Sequence, residues 1–225
     1  MPDPLFRFNP DMYTPQTLEA IFVQREDLAR DLMDATRSSA TTEGKHYTLL
    51  IGPRGVGKTH LMSLIYHRIK ADTELADRLV VAWLHEEQWG ISSMLALLVT
   101  VLNAIRHESG DVDLDQVIQG LYEYGTDVAS AEREAGRALR ECVGDRTLLV
   151  IVENLDQIFR GLGEEGQQAL RAYLQTEGFV TILATSQALF SGVVQRSNPF
   201  YGFFRIIHLE QLSVAQCDAR ASRAL

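Results

Sequence analysis

The stretch Gly52-Pro53-Arg54-Gly55-Val56-Gly57-Lys58-Thr59 decides the reading of this chain. It is a full match to the phosphate-binding loop pattern G-x-x-x-x-G-K-[ST]. Glycines at 52, 55 and 57 let successive backbone N–H groups turn inward around an anion without Cβ clashes. Lys58 then brings a point charge to β- and γ-phosphates and Thr59 a hydroxyl to Mg²⁺. A helix that starts here aims its positive end at the same anion. The expected phosphate contacts are Gly52, Pro53, Arg54, Gly55, Val56, Gly57, Lys58, Thr59 and the next residue, His60. The flanks agree with this reading. Tyr47-Thr48-Leu49-Leu50-Ile51 is a β-rich run without helical period, and Leu61, Met62, Leu64, Ile65 and Ile69 recur at helical spacing.

Further from the loop, strand-like and helix-like segments alternate. Residues 1–15 form a Pro-containing lead, followed by a short helix over 15–20 and a second opening near Phe22. Ser38 to Gly44 reads as a polar linker into the first strand. Leu79 to Leu84 predicts a second strand, ending in His85-Glu86-Glu87, and Ile91 to Ile105 an apolar helix. The region 110–144 reads as two helical pieces broken near Gly125. Leu148 to Val152 and Phe179 to Ala184 predict buried strands with a helix over 164–175 between them, and Arg205 to Leu209 predicts a short fifth strand. Such alternation implies an α/β fold in three layers, with a parallel sheet covered on both faces and ligands at the carboxyl ends of its strands.

Two such strand ends carry chemistry. Leu149-Val150-Ile151-Val152 runs into Glu153-Asn154-Leu155-Asp156, an apolar strand capped by an acid. Glu153 is the expected metal carboxylate, facing Mg²⁺ across from Thr59. Asp156 is a second candidate acid, and helix capping alone also accounts for an Asp there. The other end is Thr181-Ile182-Leu183-Ala184-Thr185-Ser186, whose terminal hydroxyls can bond an attacking water or a γ-phosphate. That requires its strand to lie between the strands that end at Gly52 and Glu153, which gives the order 5-1-4-3-2.

Composition narrows the setting. A net charge of −9 gives no general attraction for a nucleic acid, so a DNA partner is possible but unsupported by charge. Cys142 and Cys217 lack metal-ligand spacing, and no apolar run is long and uninterrupted enough to span a bilayer. A soluble, reduced, cytoplasmic protein without a membrane partner is expected.

GPRGVGKT, LVIVENLD and ILATSQ, with FVQRED ahead of them and PFYGFFRIIHLEQL behind, resemble the core of AAA+ or STAND-type ATPases. The flavour is that of origin-recognition-like and archaeal-type members, and the resemblance covers Phe22 to Leu212. It implies ATP and Mg²⁺ as cofactors. It also implies that Phe22, Val23 and Arg25 help enclose the adenine, with Gln24 in place of the usual Gly. Thr185 or Ser186 then stands as the first sensor, and Arg196 or Arg205 as an arginine that reaches a neighbouring subunit. The resemblance divides the chain into a lead with packing helices over 1–44, an ATPase core over 45–212 and the start of a truncated lid over 213–225. The family's second-sensor arginine has no counterpart, so the lid reads as absent or incomplete.

The family places Asp then a catalytic Glu where this chain has Glu153 and Asn154. An amide can orient a water but cannot take its proton as a carboxylate does. Slow hydrolysis, or a base supplied by Asp156 or Glu87, is expected. Three functions compete: a switch or remodelling ATPase acting on a macromolecular partner or by self-assembly, an ATP-binding interaction module with little or no hydrolysis, and a small-molecule kinase. The first is the expected one. Kinases usually set the acid-bearing strand directly beside the loop strand.

Overall fold

The computed structural model describes residues 14–21, 25–85, 90–110 and 113–211. Helices α1 (Pro15–Ile21) and α2 (Glu26–Thr41) precede strand β1 (Tyr47–Ile51). The phosphate-loop helix α3 (Lys58–Ala71), a short α4 (Thr73–Arg78) and strand β2 (Leu79–Leu84) follow. Next come α5 (Met94–Ser109), α6 (Asp113–Glu123), α7 (Val128–Val143) and β3 (Thr147–Val152). The described chain ends with α8 (Leu155–Glu177), β4 (Val180–Ser186), α9 (Ser191–Val194) and β5 (Arg205–His208).

The five strands form one parallel sheet in the order β2-β3-β4-β1-β5, which is the expected order read from the other edge. Because side chains alternate across a strand, each central strand feeds two cores. Leu49, Val150, Ile182 and their neighbours pack with α5, α7 and α8 on one side. Leu50, Ile151 and Leu183 pack with α1, α2 and α3 on the other. The result is the three-layer arrangement expected from the sequence.

Local chemistry explains several helix starts. Asp72, Ser93 and Asp127 cap α4, α5 and α7 by accepting from the N–H groups of Leu75, Ala96 and Ser130. Gly110 then ends α5 in the left-handed conformation, φ 68°.

Three segments differ from the sequence reading. The polar stretch Ser38 to Gly44 is not all linker, because α2 runs to Thr41. Ser39 is fully buried and accepts from the His46 N–H at 3.0 Å, while its carbonyl accepts from Lys45 Nζ and Thr147 Oγ1. Helix α4, six residues long, lies beyond the reach of a periodicity argument. Helix α8 begins nine residues earlier than the 164–175 helix, with a break at Gly163 (φ 64°, ψ −170°) that hides its first part. The lead over 1–13 and the lid start over 213–225 lie outside the described residues.

Candidate nucleotide-binding site

The loop leaves β1 at Gly52 and enters α3 at Lys58. Gly52 is dictated by close approach: a Cβ there would lie 2.6 Å from the carbonyl oxygen of Leu209. Gly57 stands at the N-cap of α3 with φ 95°, a left-handed backbone that L side chains rarely adopt. Unlike the capped helices above, α3 has no side-chain cap and no acidic residue in its first turn. Its opening N–H groups at Lys58, Thr59 and His60 thus stand where the loop meets the helix, with the positive end of the helix towards the loop. Pro53, Arg54, Gly55 and Val56 form the outer arc, and Val56 N–H closes it on the Pro53 carbonyl at 3.4 Å. Lys58 is buried, and its Nζ donates to the carbonyls of Gly52 (2.6 Å) and Pro53 (3.1 Å), which holds the ammonium inside the loop.

Glu153 meets this loop from β3. Its N–H continues the ladder by donating to the Leu84 carbonyl at 2.9 Å, so strand alternation places its side chain with Ile151 on the α3 face. There Thr59 Oγ1 donates to Glu153 Oε2 at 3.3 Å. The other carboxylate oxygen accepts from Trp83 Nε1 at 3.1 Å, and His85 Nδ1 lies 3.7 Å from it. Trp83 and His85 were not singled out from the sequence. The available signal was a tryptophan one residue before the end of the strand reading, on the alternation that faces α3.

Between β1 and β3 lies β4, whose end carries both candidate sensors. Thr185 Oγ1 accepts from the Asn154 N–H at 3.2 Å, and Ser186 Oγ donates to the Ala188 carbonyl (2.8 Å) or to Asp156 Oδ1 (3.1 Å). The Ser186 carbonyl in turn accepts from the Gly52 N–H at 3.2 Å. Asp156 is therefore tied to β4 rather than used as a cap, with Arg160 NH2 3.7 Å from its other oxygen. Asn154, buried at the turn from β3 to α8, has φ 54° and ψ 56°.

Arg25 spans the far side of the loop. Its guanidinium donates to the Val56 carbonyl at 2.6 Å and to the Glu210 carbonyl at 2.5 Å. Burial lowers its pKa from the ordinary arginine value, without threatening its charge. Arg205 sits on the edge strand, 3.4 Å from Asp31 of α2, and Arg196 is exposed after α9. The structure thus brings Lys58, Thr59, Glu153, Asn154, Asp156, Thr185 and Ser186 to one end of the sheet and leaves both arginines outside that group. Phe22, Val23 and Glu87 lie outside the described residues.

The arrangement fits a magnesium nucleotide. A loop of N–H groups and a buried ammonium suit phosphates, and a hydroxyl paired with one carboxylate suits a hard cation that takes its other ligands from phosphate and water. Among the described residues no cluster of three or more His, Cys, Asp or Glu could hold a metal unaided. An open groove of about 660 Å³ runs beside Gly52 and Pro53, between residues 187–189 and 208–211. No helix among the described residues is long and apolar enough to cross a membrane.

Comparison with solved structures finds the same fold in the Aeropyrum pernix ORC1 protein in complex with DNA (14% identity, TM-score 0.63), covering 92% of this chain and 53% of that one. Drosophila ORC bound to DNA matches at 18% identity and TM-score 0.61, over 91% of this chain and 47% of that one. The Aeropyrum pernix ORC2 protein, in ADPNP–ADP complexes, matches at 17% identity and TM-score 0.59, over 91% and 51%. The chain thus spans about half the length of these solved chains. No curated protein sequence matches it. The family model for the AAA ATPase domain matches residues 21–185, which hold the loop, Glu153 and the β4 hydroxyl of Thr185, and the chain belongs to that family.

Proposed function

We propose that this protein is a cytoplasmic AAA+ ATPase that binds Mg²⁺·ATP at the Gly52–Thr59 loop and uses nucleotide state to switch or remodel a macromolecular partner. The observation that carries this is β4 standing between β1 and β3, which sets Thr185 and Ser186 between the phosphate loop and Glu153. A kinase-like arrangement, with the loop and acid strands adjacent, is not what this sheet has. Lys58 offsets charge on the β- and γ-phosphates, and Thr59 and Glu153 hold the metal. Bound Mg²⁺ neutralises phosphate oxygens as charge builds on them. Ser186 and Thr185 are placed to orient a water or to register the γ-phosphate, and Asp156 fixes the Ser186 hydroxyl.

Asn154 favours a second reading, an ATP-binding module in which occupancy rather than turnover carries the signal. No carboxylate stands at the position next to the metal acid where the family resemblance implies a base. Two of the ORC structures named above, those of Aeropyrum pernix ORC1 and of Drosophila ORC, hold DNA. A net charge of −9 gives this chain no general attraction for a polyanion, so the proposed partner is another protein or a second copy of the chain. In that second case Arg196 and Arg205, exposed and away from the loop, are the proposed contacts to a neighbour's nucleotide.

ATP binding by Lys58→Ala tests the first step. Loss of a buried ammonium facing phosphate lowers affinity by roughly 100-fold or more, while the fold survives. A folded Lys58→Ala protein that binds ATP as tightly as the parent overturns the assignment. Steady-state turnover of the parent then separates switch ATPase from binding module.

A further inference from the structure

Glu153 stands at a strand end, where a carboxylate can rotate freely unless something holds it. Two neighbours divide its oxygens, Thr59 taking Oε2 at 3.3 Å and Trp83 taking Oε1 at 3.1 Å. The indole has a single N–H and no acceptor, so this bond uses the whole of its hydrogen-bonding capacity. Parallel register makes the meeting inevitable. Trp83 pairs with Ile151, the residue two before Glu153, and both side chains leave the sheet on the α3 face.

The indole is itself immobilised. The His85 ring stacks on it with centroids 4.8 Å apart and planes 14° from parallel, and Tyr66 of α3 leans on it at 5.3 Å. Tyr66 is anchored in turn, its hydroxyl donating to Glu108 of α5 at 2.6 Å, where Lys70 also pairs at 2.6 Å. A chain of fixed groups therefore runs from the α3–α5 surface to one oxygen of the metal acid.

From this geometry we infer that Trp83 is a positioning residue for metal binding, holding Glu153 Oε1 so that Oε2 is presented beside Thr59 to Mg²⁺. The inference rests on the reading of Glu153 as the metal acid. Groups that orient a ligating carboxylate through its second oxygen typically contribute 10- to 100-fold to metal affinity.

The test uses the Trp89→Phe protein, in which Trp83 is the sole tryptophan. ATP affinity is measured with Mg²⁺ and with EDTA, and the ratio gives the gain due to metal. Trp83→Phe keeps an aromatic ring against His85 and Tyr66 and removes the N–H. It should cut the metal gain roughly ten-fold and leave metal-free ATP affinity unchanged. Added to Glu153→Gln, it should cost nothing further, because the oxygen it positions has lost its charge. In the parent ring, Trp83 emission should change with Mg²⁺·ATP and not with ATP in EDTA, a readout independent of whether the variant folds.

A full metal gain in Trp83→Phe, alongside its loss in Glu153→Gln, overturns the positioning role alone. Equal loss of affinity with and without metal overturns it too, since that marks Trp83 as merely structural. Retention of the gain in Glu153→Gln refutes the metal-acid reading itself, and the inference falls with it.

Discussion

Asn154 holds the left-handed backbone, φ 54° and ψ 56°, that turns the chain from β3 into α8. Asn tolerates that conformation because its short amide can bond locally, whereas a longer side chain bears the same Cβ clash without that compensation. The residue is therefore suited to the turn as well as unsuited to base catalysis, and the two effects can be separated by substitution. Asn154→Gly should fold as well as the parent or better. Asn154→Glu should cost about 1 kcal/mol, visible as a fall of a few degrees in Tm. If position 154 faces the attacking water, that same variant raises single-turnover hydrolysis while ATP affinity stays put, since a base acts in the transition state. A flat rate, together with loss of turnover in Asp156→Asn, assigns the base to Asp156 instead. That the loop and Glu153 meet at one end of the sheet was legible in sequence because each rests on local order, a motif or a strand running into an acid. Trp83 was not, because its role depends on the register between β2 and β3, which no local pattern encodes.

At the scale of elements, the phosphate helix is pinned to its neighbours by charge. Arg68 of α3 donates to both oxygens of Glu19 on α1 and both of Glu26 on α2, at 2.7 to 2.9 Å. These bonds raise the Arg68 pKa above its ordinary value, and the bond from Arg68 lowers that of Glu19. The carboxylates are half exposed, so screening limits the effect, and Arg68→Ala should cost about 1 kcal/mol at neutral pH. A carboxylate with a depressed folded pKa contributes fully above its unfolded value, about 4.3, and loses that contribution as pH falls through the folded one. The penalty of Arg68→Ala, read by chemical denaturation, should therefore shrink as pH drops below that value. A penalty constant from neutral pH to pH 3 rules out the ionic origin. A second tie, at Ser39, shows why the polar stretch before β1 misleads. Its hydroxyl is buried among partners at His46, just before β1, and on β4, so polarity there is internal satisfaction rather than exposure to solvent. Ser39→Ala strands the His46 N–H and should cost about 1–3 kcal/mol in the same assay. The glycines of α8 misled for another reason: Gly163 does break the helical backbone, but Gly161 lies within the helix, where a Cβ would lie 2.1 Å from the Ile91 carbonyl, so glycine there serves close packing against the segment before α5.

For the molecule as a whole, strand order was legible because the proposed sensor role of Thr185 or Ser186 requires their strand to lie between those ending at Gly52 and Glu153, and β4 does lie there. What joins the two ends of the described chain was not. Arg25 follows α1 and precedes α2, yet its planar fork bridges the Val56 carbonyl of the phosphate loop and the Glu210 carbonyl just beyond β5. The family resemblance assigns this arginine to enclosing the adenine, while its contacts here are to backbone on both flanks of the loop. Hydrogen bonds from a charged donor contribute about 1.5–3 kcal/mol each when partly buried, enough to couple the two segments. The two roles give different results in the absence of nucleotide. As a tether, Arg25 slows local opening, so Arg25→Ala should speed amide hydrogen exchange in 52–57 and in 208–211 together, before any ATP is added. Arg25→Lys, a point charge without the fork, reaches one carbonyl at a time and should restore protection only in part. ATP affinity should then fall roughly ten-fold in Arg25→Ala because a looser loop must be ordered on binding. Unchanged exchange in the nucleotide-free protein, with the same loss of affinity, would instead make Arg25 a direct contact to the base, and the link between the loop and the segment after β5 would have to be sought in the approach of Gly52 to Leu209.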